Sequence, residues 1–70
     1  MNKYEVIIYW SEEDKCYIAE VPELPGCMAD GPTYSGALRN VQVIIREWIE
    51  TAGELNREVP KPKGRRLVFA

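Results

Sequence analysis

Seventy residues with nine lysines and arginines against eleven aspartates and glutamates carry a formal net charge of −2, so the chain as a whole lacks the strong positive field of a nucleic-acid-binding protein. With 46% hydrophobic residues, no histidine and two cysteines, it is too cysteine-poor for a disulfide framework, lacks the commonest general base, and has no run near the roughly 18 apolar residues of a membrane span. One domain over 1–70 is expected; a chain this short buries only about 60% of its unfolded surface, which favours a homo-oligomer, either dimer or tetramer.

The N-terminal MNKYEVII leads into a charged strand instead of an apolar signal region, which points to a cytoplasmic protein. Lys3 to Trp10 alternate, with Tyr4, Val6, Ile8 and Trp10 on one face and Lys3, Glu5, Ile7 and Tyr9 on the other, the period of a strand. SEEDK at 11–15 has no apolar residue and separates this strand from a second, Cys16 to Val21, in a predicted antiparallel hairpin. Tyr17, Ala19 and Val21 then join the Tyr4 face.

VPELPGCMADG, residues 21–31, prescribes backbone geometry. Pro22 ends the second strand because it cannot donate to a ladder, and Pro25-Gly26 supplies a turn. A short third strand is predicted around Cys27 to Asp30, followed by Gly31 and a helix-capping Thr33. Over 34–52, Ala37, Leu38, Val41, Ile44, Ile45, Trp48, Ile49 and Ala52 form one apolar helical stripe. Gly53 is expected to end the helix in the left-handed conformation, and Gly36, standing where a capping box would place Glu or Gln, predicts a weak first turn. ELNREVPKPKG is a connection, and RRLVFA at 65–70 reads as a closing strand. The expected fold is α+β, in β-β-β-α-β order, with one helix on one face of a small, mostly antiparallel sheet.

The strand, the V-P-E-L-P-G-C segment, a glycine shortly before a threonine, the Ala-Leu helix and the proline-containing return, together spanning Tyr4 to Phe69, resemble the HicB antitoxin family. The chain departs from the family's usual pattern at Pro32 and at Ser35-Gly36, which touch the helix start. The resemblance implies a fold like part of ribonuclease H and a HicA-type RNA-cleaving toxin as partner. Longer relatives add a C-terminal DNA-binding module; a chain ending at Ala70 is expected not to bind an operator through its own domain.

No enzyme is expected, and no catalytic, cofactor or metal residue is assigned. Cys16 and Cys27 lack an activating base in sequence and read as small structural hydrophobes. Metal-dependent nuclease chemistry needs converging carboxylates; Glu5 and Glu20 share a hairpin face, while Glu12, Glu13 and Asp14 belong to a turn. DGPTYSG lacks the lysine of a phosphate loop.

Charge is segregated: through Ser35 there are seven acids and two bases, and from Gly36 onward four acids and seven bases. An acidic front half suits a basic partner. The basic 57–66 segment, with Lys61, Lys63, Arg65 and Arg66, is a weaker candidate for nucleic-acid contact. The sheet face opposite the helix would carry Ile7, Tyr9, Cys16 and Ile18 alongside Lys3, Glu5 and Glu20, an apolar patch rimmed by charge, as at protein–protein interfaces, unless the 54–64 connection folds over part of it. Glu5, Ile7, Tyr9, Ile18 and Glu20 are the interface candidates. Pro22, Pro25, Gly26, Gly31 and Thr33 are assigned to geometry. The expected function is that of an antitoxin occluding its toxin; the alternatives are a solitary homo-oligomeric module or a weak nucleic-acid binder.

Overall fold

A computed structural model describes residues 3–62 of the protein. Three strands, β1 (Ile7–Ser11), β2 (Cys16–Glu20) and β3 (Met28–Gly31), are followed by one helix, α1 (Tyr34–Glu54). The sheet has the order β1-β2-β3 with both pairings antiparallel. This is the α+β arrangement anticipated from the alternating and helical periods. The closing strand expected at 65–70, and with it the resemblance to ribonuclease H, lies outside the described residues.

β1 starts at Ile7 instead of Lys3 because its partner runs out. β2 ends at Glu20, opposite Ile7, and the next amide, Val21 N–H, turns to the Cys27 carbonyl at 3.0 Å. Upstream of Ile7, the Glu5 amide donates to Glu23 Oε1 at 3.1 Å. The hairpin turns through Lys15, at φ 56°, whose amide donates to the Ser11 carbonyl at 2.8 Å.

VPELPGC forms two consecutive turns. Leu24 N–H donates to Val21 C=O at 3.1 Å with Pro22 inside the turn, and Cys27 N–H donates to Leu24 C=O at 2.9 Å with Pro25-Gly26 inside it. Gly26 has φ +78°, the positive value a type II turn needs at its third residue. The double turn drives Leu24 into the core, where it is fully buried. Ala19, Val21, Leu24, Cys27, Ala37, Val41 and Ile45 make that core, with Tyr4, Val6, Ile8, Tyr17, Ala29 and Trp48 packed around it. Trp48 Nε1–H donates to the Pro25 carbonyl at 3.0 Å, tying the helix to the double turn. Trp10 shares the covered face but stays exposed; its ring meets Tyr17 edge-on at 5.2 Å, and Tyr17 meets Tyr34 at 5.1 Å.

Gly31 sets how closely β3 meets the helix: a Cβ there would lie 2.6 Å from Ala37 N and 2.8 Å from the Gly36 carbonyl carbon. Thr33 caps α1, with its Oγ1 accepting from Gly36 N–H at 3.0 Å and its carbonyl from Ala37 N–H at 2.9 Å. The first turn, expected to be weak, is therefore held by a cap and by this close strand contact. The helix end differs from expectation. Gly53 lies inside α1, Leu55 is the cap, and Asn56 takes the left-handed conformation at φ 58°. Asn56 N–H donates to Gly53 C=O and Arg57 N–H to Ala52 C=O, at 3.2 and 2.8 Å, the paired bonds of a Schellman motif in which Asn replaces the usual Gly. Beyond it the chain returns to Tyr4, whose hydroxyl donates to the Pro60 carbonyl.

Candidate functional site

Register determines which side chains share the face away from α1. Ile7, Glu20 and Met28 lie in one row across the three strands, and Tyr9, Ile18 and Asp30 in the next. Ser11 and Cys16 extend the face at the hairpin end. Their neighbours in sequence, Ile8, Ala19 and Ala29, pack on the other side against the helix. Ile7, Tyr9 and Met28 are 42%, 43% and 49% exposed, while Ile18 and Glu20 are half-buried on the central strand.

Two carboxylates stand among these apolar groups, each fixed by a neighbour. Tyr9 OH donates to Glu20 Oε2 at 3.3 Å, and the Cys16 thiol approaches Asp30 Oδ2 at 3.9 Å. Lost water contact, and after it the Glu20 charge, raises the Tyr9 phenol above its ordinary 10.0. The Cys16 thiol is raised above 9.0 by lost water contact and then by Asp30 and Asp14. No lysine or arginine occurs in the three strands, and neither Glu20 nor Asp30 has a cationic partner among the described residues. The ion pair seen there is Lys15–Glu12, at 2.7 Å in the hairpin turn.

Four of the five expected face residues, Ile7, Tyr9, Ile18 and Glu20, thus come together. Glu5 precedes β1 and lies toward the VPELPGC loop, through its amide bond to Glu23. Met28 and Asp30 were missed. Four residues of β3 give too little alternation to reveal a face from sequence; the signal was the register itself, which follows once Gly31 is placed opposite Tyr17. Pro22, Pro25, Gly26, Gly31 and Thr33 occupy the turns, close approach and cap described above.

Of the basic segment, Lys61 is exposed, and Lys63, Arg65 and Arg66 lie outside the described residues. Arg57 stacks on Trp48, its guanidinium carbon 5.6 Å from the ring centre. Cys16 and Cys27 are both free thiols, and burial pushes the Cys27 thiol up, so neither is a thiolate at neutral pH. Among the described residues, no group of three His, Cys, Asp or Glu side chains is placed to hold a metal ion. No helix among them is long and apolar enough to cross a membrane. The site is an apolar sheet surface with two carboxylates among its side chains.

A family model described as the HicB_like antitoxin of bacterial toxin-antitoxin systems matches residues 4–66. A UPF0150 protein of Thermoplasma acidophilum is 42% identical over 59 residues, 84% of each chain. Two UPF0150 proteins of Synechocystis sp. are each 35% identical; one match covers 81% of this chain and 77% of the relative, the other 71% and 74%. No solved structure gives a significant match.

Proposed function

The chain belongs to the HicB-like antitoxin family of bacterial toxin-antitoxin systems, and from that premise we propose that it neutralises a small RNA-cleaving toxin by occluding the toxin's surface. The observation that carries this reading is the sheet face bearing Ile7, Tyr9, Ile18 and Met28, three of them more than two-fifths exposed, on a chain whose one described helix covers the other side. Apolar groups held on a rigid sheet and interspersed with charge favour a protein partner over a small molecule. Occlusion asks no catalytic group of this chain.

The test is co-expression with a small basic protein encoded by an adjacent reading frame. Growth rescue and co-purification are expected; a toxin that neither binds nor is silenced would sink the antitoxin reading. Self-association is a second reading, favoured by the same exposed side chains. Light scattering distinguishes it, since a monomer at high concentration contradicts a dimer or tetramer.

A further inference from the structure

A partner protein and a second copy compete for one surface, and its charge separates them. Glu20 sits on the central strand between Ile7 and Met28, so an occupant that covers the apolar centre must also take the Glu20 carboxylate out of water. Burying a carboxylate without a counter-charge is strongly unfavourable. Neither Glu20 nor Asp30 has a cationic partner among the described residues, so an occupant that brings one is favoured over an occupant that does not.

A second copy docked face to face sets another Glu20 and another Asp30 against the first and brings no lysine or arginine from its strands, Lys3 lying before β1 and Lys15 in the hairpin turn. Like charges opposed across an interface reject that pairing. A copy could offer Arg39 or Arg46 from its helix, but only head to tail, in a heterologous contact that does not close into a two-fold dimer. Nucleic acid fails on the same ground, since its phosphates would meet uncompensated carboxylates. Glu20 accepts from Tyr9 OH at 3.3 Å, and the Cys16 thiol lies 3.9 Å from Asp30 Oδ2, both contacts leaving carboxylate oxygens open to a cation.

We propose that this face docks a cationic protein surface, with Ile7, Tyr9, Ile18 and Met28 forming the apolar centre and Glu20 and Asp30 receiving lysine or arginine side chains. The proposal rests on the antitoxin reading, which gives the open face to a partner, and adds the partner's chemistry and the residues that select it.

Amide chemical-shift mapping of the full chain tests it, using as probes a short peptide of alternating leucine and lysine and its leucine–glutamate counterpart. The lysine peptide is expected to shift the amides of Ile7, Tyr9, Ile18, Glu20, Met28 and Asp30, and the glutamate peptide to leave them in place. Raising salt from about 20 to about 300 mM should weaken the lysine peptide by about fivefold or more. The Glu20→Gln, Asp30→Asn double variant should weaken it about as much while keeping the wild-type urea midpoint. An equal response to both peptides, a response confined to other amides, or concentration-dependent shifts of these amides without peptide would overturn the proposal. Toxin rescue by the double variant as strong as by the wild type would also overturn it while leaving the antitoxin reading standing; peptide binding as expected with no toxin rescued would do the reverse.

Discussion

The covered and open faces of the sheet alternate along the same strands, yet they follow different rules of size. Where α1 crosses β3 and β2, the covered face offers Ala29, Gly31 and Ala19, and the helix meets them with Ala37, Val41 and Ile45. The open face carries Met28, Ile18, Tyr9 and Ile7 at neighbouring positions. Close approach of a helix requires small side chains at the crossing itself, while the larger Ile8 and Tyr17 pack beside it on the same face. The large residues of the other face are covered by no described element of the chain. Stability should therefore depend on the first face and recognition on the second.

The hardest blow to the covered side is Leu24→Ala. Leu24 is fully buried, and its truncation is expected to cost about 3 kcal/mol, a large share of the roughly 5 kcal/mol a small domain has to lose. A fall in the urea midpoint reads this directly. Next comes Gly31→Ala, which places a methyl 2.6 Å from the Ala37 amide nitrogen and is expected to cost about 2 kcal/mol through a forced backbone shift. An unchanged melting temperature would show that β3 and α1 separate freely. Thr33→Ala removes the hydroxyl that accepts from Gly36 N–H and should cost about 1 kcal/mol, with Thr33→Ser restoring most of it.

How far these features were legible in sequence follows the same division. The hairpin, the helix and the covered-face residues could be read because alternation and the 3.6-residue period extend over many positions. The Pro25-Gly26 turn was legible because proline and glycine restrict backbone geometry locally, whereas Pro22 was read as a strand end and not as the inside of a turn of its own. Met28 and Asp30 were not, since a four-residue strand gains its face from pairing with β2. The true helix end was hidden too: Gly53 is the stronger left-handed residue by composition, but the chain turns at Asn56, where two backbone bonds close the motif. Glu20 was placed on the correct face, yet its lack of a described cation became visible only with the register in hand.

The smallest expected effect concerns pH and involves Tyr9 and Cys16 of the open face together with Cys27 of the core. Tyr9, Cys16 and Cys27 all have folded values raised above 10.0, 9.0 and 9.0. The stability linked to them is whole below about pH 9 and is lost as pH rises through the raised values, because the unfolded chain releases those protons first. Glu20→Gln should lower the Tyr9 titration part of the way toward 10.0, leaving the contribution of lost water contact. Phenolate absorbance of wild type, Glu20→Gln and Tyr9→Phe proteins checks this; an unmoved Tyr9 titration would mean that Glu20 does not act on it.

The most direct test of the division between faces is co-purification of a co-expressed HicA-type toxin with the Ile7→Ser, Tyr9→Ser, Met28→Ser variant, whose fold is verified by its urea midpoint. These exposed positions should change stability by only about 0.5 kcal/mol each, so the account predicts a folded protein that no longer retains the toxin. A folded variant that holds the toxin as firmly as the wild type would contradict it and move recognition to another surface of the molecule.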